Sequence, residues 1–339
     1  MAATLTTANV LSGGSFSGNR IAVRPPVLTG AKSWVFPRSS PTPSNLIAGG
    51  PTLTAYGTGP SLQPAWGNFA YNATVGSNQA YDSLVVDTAA MTLMIVAQSP
   101  GGGNGLTLFS NYQPSGMDFW VDQFNNAAGF YVAGSMNQSF LYSVPGGSIL
   151  NWGFYALTVG PAGLFFYAPT VGIATNLTYQ IRVTGGNTAG NTVSVTATGA
   201  FAGSPVTKTY TVLAGDTTTN VAAGLTALVN ADTTLQAAGV SAVSYTNTLL
   251  MQQSPSTAYT FSSAVSGVIA AAQATTSSHV VNAAQTLKVG STVNGVGKGS
   301  GSIAWFAAAT GTGSQASQAQ ITQTYQALQA SLALDGIVI

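Results

Sequence analysis

Two aspartates frame a tryptophan in the stretch MDFWVD, residues 117–122: Asp118, Trp120 and Asp122. The chain holds seven acidic residues, none of them glutamate, so a pair this close stands out. On a strand, side chains alternate, and these three share one face while Phe119 and Val121 take the other. Carboxylates beside an aromatic ring suit either hydrolysis or gripping of a glycan. Hydrolysis requires carboxyl groups about 5–5.5 Å apart in a retaining enzyme and roughly 6.5–9.5 Å apart in an inverting one. Four strand positions at about 3.4 Å each hold the two Cα atoms about 14 Å apart, and aspartate is short. The spacing argues against cleavage. It leaves a glycan contact, in which Trp120 offers an apolar face and the aspartates accept from hydroxyls. Asn111 and Tyr112, on a nearby loop, join this candidate ligand set. The alternative, towards which the residues lean, is one strand of a sandwich, with Trp120 in the core and the aspartates solvated at a sheet edge.

Other residues with chemical potential are sparse. His279 is the single histidine. One imidazole assembles no histidine metal cluster, and a triad needs it beside a nucleophile and an acid. No catalytic residue is assigned, and no metal or cofactor is expected. Gly295–Ser300, GVGKGS, departs from a phosphate loop because Gly299 follows Lys298 where Ser or Thr is needed and Thr292 takes the place of the leading glycine. It reads as a flexible turn. GGGNG at Gly101–Gly105 reads the same way, without the strand-to-helix context of a dinucleotide fingerprint.

Composition narrows the classes further. Charged residues make up 4% of the 339, against about 25% in ordinary soluble domains, so Ser, Thr, Asn, Gln and Gly must carry solubility. A formal charge of +1 gives no field to gather nucleic acid or an anionic membrane, and neither is expected as a partner. Cysteine is absent, which excludes disulfides, thiolate metal sites and cysteine nucleophiles together. The first twenty residues lack the basic and apolar regions of a secretory signal. The long uncharged stretch from Trp152 to Ala174 is broken by Gly160, Pro161 and Pro169 and reads as two strands and a turn, with no membrane insertion. A charge-poor, surface-like chain without an export signal fits a virus particle assembled inside a cell and released by lysis.

These residues need elements to position them. Residues 1–26 have little periodicity and end in two prolines, which predicts an extended arm. Arg20, Arg24, Lys32 and Arg38, four of the eight cations, fall in or just after it. They either dock on an acidic partner or act as isolated charges that keep strand edges from pairing. From Val27 onward short apolar-aromatic runs recur between Gly, Pro, Asn and Ser clusters, which predicts an antiparallel sandwich. Residues 175–267 change texture. Strands there alternate cleanly, around Leu177–Val183, Val193–Ala197 and KTYTVLAGD. Asp216 is expected to cap a helix with Val221, Leu225, Leu228 and Val229 on one face, a second helical piece reaches Gly239, and strands follow around AVSYTNTLLMQQ and AYTFSSAV. This is the pattern of an α/β domain inserted into the sandwich. Near the C-terminus Ser317 and Gln320 form a capping box. Ile321, Tyr325, Leu328 and Leu332 then make one apolar stripe, Gly336 ends the helix, and Ile337–Ile339 are expected to return to a sheet.

The runs TLMIVAQ, LKVGS and IAWFA (Ile303–Ala307), followed by a capped helix with Tyr325–Leu328 as a Tyr-x-Ala-Leu element, resemble the laminin-G/concanavalin-A-like jelly rolls of phage virion proteins. Leu28-Thr29-Gly30 with Ser33-Trp34, and the Asn45-Leu46-Ile47 turn, fit the same family. TYTVLAGDTTTNVAAGLTALVNAD is similar to small α/β modules of phage tail and other virion proteins. The resemblance implies a mainly β fold: a jelly roll over 27–174 and 268–339 with the α/β domain at 175–267 inserted and a C-terminal helix. It also implies a virion structural protein, as fibre, spike or capsid or tail decoration, acting by assembly and adhesion. Its partners would be capsid, neck or tail proteins, further copies of itself as a homo-oligomer such as a trimer, and a host surface glycan. Concanavalin-like glucanases place glutamates at the outer two of three alternating acids, where this chain has Asp118 and Asp122 around Trp120. Few acids are present for the loop calcium ligands of that family. A polysaccharide-degrading enzyme on the same fold and a cellular adhesin are the competing expectations.

Overall fold

The computed structural model describes residues 28–37, 43–57, 61–62, 67–69, 79–98, 106–111, 117–122, 127–132, 138–143, 151–161, 163–168, 173–245, 247–253, 259–267, 270–275, 281–291, 293, 301–333 and 337–339. The chain opens with β1 (Ala31–Val35), β2 (Thr54–Gly57), β3 (Ser61–Leu62), β4 (Gly67–Phe69), β5 (Gln79–Val86), β6 (Met91–Gln98) and β7 (Leu106–Ser110). It continues through β8 (Met117–Asp122), β9 (Ala127–Val132), β10 (Gln138–Ser143), β11 (Gly153–Gly160), β12 (Gly163–Ala168) and β13 (Ile173–Gly185). Next come β14 (Thr192–Thr198), β15 (Val206–Thr211), α1 (Thr218–Asn230), α2 (Thr233–Ala237), β16 (Val240–Tyr245), β17 (Thr248–Gln253), β18 (Thr260–Ser266) and β19 (Ala270–Thr275). The last elements are β20 (Thr286–Val289), β21 (Gly301–Thr310) and α3 (Gln318–Ala333).

The protein is mainly β, with antiparallel sheets and, among the described residues, three helices. One sheet runs β16-β17-β13-β12-β11-β6-β21-β4-β3, with β1 also on β21 and β19 also on β13. A second runs β10-β9-β8-β7-β20-β5-β2, and a third β15-β14-β18. Strands β6, β11 and β21 are buried along nearly their whole length. That explains their continuous apolar runs, because each buries both faces.

One face of these strands (Leu93, Ile95, Leu157, Phe306) meets Tyr81, Phe109, Phe119 and Leu287 of the second sheet. The other (Met94, Val96, Phe154, Ala307) lies under Ile321, Leu328 and Leu332 of α3. Trp34 and Trp305 sit edge to face there, ring centres 4.7 Å apart. Burying each such large side chain contributes about 1.5–3 kcal/mol, which makes this middle layer the main source of cohesion. Asn45 fastens β1 to the following turn. Its side-chain oxygen accepts from the N–H groups of Trp34 and Ile47, and its amide donates to the carbonyls of Lys32 and Pro51.

Residues 179–261 have a cluster of their own, in which α1 buries Val221, Ala222, Leu225 and Val229 against β13, β14, β16 and β17. The helix lies close because Gly224 faces a tyrosine ring. A Cβ there would stand 2.1 Å from the Tyr210 ring. Strands β16, β17 and β13 nonetheless continue the hydrogen-bonded path of the largest sheet through β12.

Several local expectations change. Thr217, not Asp216, caps α1, accepting from the Asn220 N–H. The Asp216 carboxylate turns away to accept from the Tyr210 hydroxyl and the Leu213 N–H. Leu228 is exposed, and Ala222 takes its place on the buried face. AVSYTNTLLMQQ forms two strands, β16 and β17, paired as a hairpin. Both arms of the capping box form, with Gln320 N–H donating to Ser317 Oγ and Ser317 N–H to Gln320 Oε1. Gly336 lies outside the described residues. Ile337–Ile339 join no strand; Ile337 is buried under α3, and the Ile339 carbonyl accepts from the Tyr325 hydroxyl.

Candidate functional site

MDFWVD is a strand, and its surroundings explain why. Met117 and Phe119 are buried in the core between the two larger sheets, so the alternating positions 118, 120 and 122 belong to the opposite face. In register, Asp118 stands opposite Ser110 and Tyr131, Trp120 opposite Thr107 and Gly129, and Asp122 opposite Ala127. β8 is therefore an interior strand, hydrogen-bonded by β7 on one side and β9 on the other, and the expected sheet-edge position for the aspartates does not hold. Asp118 is half-buried. The strand assignment keeps the two aspartates four positions apart.

Asn111 sits where β7 ends, fully buried. Its N–H donates to the Met117 carbonyl and its side-chain oxygen accepts from the Met117 N–H, which ties the end of β7 to the start of β8. Its amide nitrogen donates to Asp87 Oδ2 at 3.0 Å and to the Asn282 carbonyl at 3.3 Å. Asn282 answers by donating its own amide to the Asn111 carbonyl and its N–H to Asp87 Oδ2. Three segments distant in sequence thus meet in one buried polar knot. The side-chain amide of Asn111 is committed inside the protein in both directions, as acceptor and as donor.

The other expected site residues are scattered. Tyr112, Arg20, Arg24, Arg38 and His279 lie outside the described residues, as do Gly101–Gly105 and Gly295–Ser300. Lys32 is exposed on β1. Among the described residues no cluster of three or more His, Asp or Glu is placed to hold a metal. No described helix is long and apolar enough to cross a membrane.

Two arrangements were not anticipated. Lys288 on β20 is buried, its ammonium 2.5 Å from Asp82 Oδ2, 2.8 Å from Thr286 Oγ1 and 4.9 Å above the Tyr56 ring. Asp82 also accepts from the Thr286 hydroxyl and from the N–H of Leu84, whose φ of 54 is left-handed and costs a leucine about 1–2 kcal/mol. Here a cation and an acid neutralise each other and lock β5 to β20. No local pattern joins Lys288 to Asp82, which stand 206 residues apart.

The second arrangement is a face. On the three-stranded sheet, Thr192, Ser194 and Thr196 of β14 stand opposite Thr211, Thr209 and Thr207 of β15. On the other side they stand opposite Ser266, Ala264 and Ser262 of β18, with Thr198 opposite Thr260. The alternate residues Val193, Val195 and Ala197 are buried. The outward face is therefore an uncharged array of hydroxyls. Some pair across strands, as Thr196 with Thr207 at 2.8 Å and Thr192 with Ser266 at 2.7 Å. Strict alternation in TVSVTAT and VTKTYT was the legible sign of it. No known family model matches the chain, and no curated protein matches it.

Proposed function

We propose that the chain is a bacteriophage virion structural protein, a fibre, spike or decoration of capsid or tail, acting by assembly and surface adhesion. A laminin-G/concanavalin-A-like jelly roll with an inserted α/β domain is the fold this reading assumes. The observation that carries it is the way the molecule coheres and faces water. Its interior is stacked antiparallel sheet, charge is scarce, the Lys288–Asp82 pair is turned inward, and one whole sheet face presents neutral hydroxyls. Such a protein suits exposure on a particle, because salt screening has few exposed charge pairs to weaken. Capsid, neck or tail proteins are its partners in this reading, and Arg20, Arg24, Lys32 and Arg38 offer an arm for an acidic one. Asp118, Trp120 and Asp122 are the glycan contact it retains, without cleavage. Gold-labelled antibody against the chain should decorate purified particles and stay bound through washes at about 0.5 M salt. Particles that never carry the label overturn the proposal, as does cleavage of host glycans that is lost in Asp118→Asn and Asp122→Asn.

A further inference from the structure

The three-stranded sheet ends in β15, and among the described residues no strand pairs with its outer edge. The direction of its backbone groups follows from the residue just beyond it. Val212 donates its N–H to the Asn191 carbonyl and accepts at its own carbonyl from the Gly190 N–H, both on the β14 side. Backbone direction alternates along an antiparallel strand, so Val206, Lys208 and Tyr210 also face β14. Thr207, Thr209 and Thr211 direct their N–H and C=O groups away from the sheet, and all three are exposed.

Proteins guard such edges with lysines, prolines and bulges. Within β15 none of these is in force, Pro205 standing just outside it. Its register with β14 is unbroken from Val206 to Thr211. Its one lysine, Lys208, is drawn off into an ion pair with Asp232 at 2.5 Å. The opposite terminal strand, β18, differs in that it packs against β19 of the largest sheet.

We propose that β15 docks a second copy of this chain by antiparallel strand addition, with Thr209 on the two-fold axis. The edge is self-complementary in that register. Thr209 meets the partner's Thr209 and Thr207 meets the partner's Thr211, each pair exchanging the backbone groups that β14 leaves free. Lys208 then lies opposite the partner's Tyr210 and not opposite its own like charge. The hydroxyl face continues across the junction with the threonine contact already made between Thr196 and Thr207. A formal charge of +1 per chain adds little repulsion between copies. The inference concerns the chain in solution and does not rest on the virion reading.

The absence of cysteine makes the test direct. In a hydrogen-bonded antiparallel pair the Cα atoms lie about 5.5 Å apart, within the roughly 4.4–6.8 Å that a disulfide spans. Full-length Thr209→Cys should oxidise to a covalent dimer, while Thr198→Cys, on the same face but on the central strand, should not. Sedimentation of the unmodified chain over a dilution series should show a dimer. Thr209→Lys, which opposes two like charges, should raise its dissociation constant roughly tenfold or more, and Thr209→Pro, which removes an outward N–H and leaves the ladder to β14 intact, should do the same. A chain that stays monomeric with Thr209→Cys uncrosslinked overturns the proposal; a strand from a different protein as the occupant would give that result. A dimer or trimer indifferent to both Thr209→Lys and Thr209→Pro overturns it as well, because assembly would then use another surface.

Discussion

At the scale of single residues, Asn111 has the most to lose. Alanine there would leave the Met117 N–H without its acceptor and take a donor from Asp87 Oδ2, both in a site closed to water. Each buried group left unsatisfied costs about 1–3 kcal/mol, and more when it is charged. Asn111→Ala should therefore lower the unfolding free energy by about 2–4 kcal/mol, read as a fall in urea midpoint at unchanged slope. If Asn111 instead served a glycan, the variant would keep its stability and lose ligand, and that result would refute the structural role. The sequence shows Asn111 beside Tyr112 as a polar loop residue, and no local pattern separates a solvated asparagine from one that closes a knot. The deciding partners, Asp87 and Asn282, stand 24 and 171 residues away. For Asp118 alternation puts the position on the face opposite Phe119, but the expected sheet edge fails because β9 pairs beyond β8, which the local sequence does not show.

At the scale of elements, periodicity was legible wherever one face is buried and the other wet. It located α1, α3, β14 and β15, and the capping box of α3, all of which depend on residues within a few positions of each other. It failed where two candidates compete locally. Asp216 and Thr217 can both cap α1, and Tyr210, packed on Gly224, claims the aspartate. The short helix α2 depends on a single cap of this kind. Asp232 accepts from the Leu235 N–H at 2.9 Å and from Lys208, and these bonds, the lysine's first, hold its carboxyl below the usual value of 3.8. With the folded value depressed, the unfolded chain takes the proton first. The stabilisation is complete above pH 3.8 and is lost as pH falls through the lower folded value. Hydrogen exchange at Leu235 should therefore quicken on acidification below pH 3.8 more than exchange within β6. In Asp232→Ala it should already be fast at neutral pH, and equal protection in variant and parent would refute the capping role.

At the scale of the whole molecule, what unites the layers is burial, and the consequence appears in alkali. Tyr81 lies between the two larger sheets, Tyr155 in the same core and Tyr167 in the cluster under α3. Burial raises each phenol, Tyr81 and Tyr167 to about 12 and Tyr155 further still. A folded value raised above 10.0 means that the unfolded chain loses its proton first. The contribution is full below pH 10 and is lost as pH climbs through the folded values, on the order of 1–3 kcal/mol for each phenol. Aspartates, at seven, and lysines and arginines, at eight, are too few to offset this, and Tyr179, Tyr210 and Tyr325 are raised in the same direction. Between pH 7 and 9 the urea midpoint should stay level, and above about pH 10 it should fall steeply. Tyrosinate absorbance should show a further rise together with unfolding, beyond that of the other tyrosines among the thirteen, because Tyr81, Tyr155 and Tyr167 reach water only when the sheets separate. Tyr155→Phe removes the most strongly raised of these ionisations and should flatten the alkaline limb even if it costs some stability at neutral pH. A midpoint that holds level to pH 12, or an absorbance rise at unfolding that Tyr155→Phe leaves unchanged, would show that these phenols ionise in place and that burial is not what couples the layers.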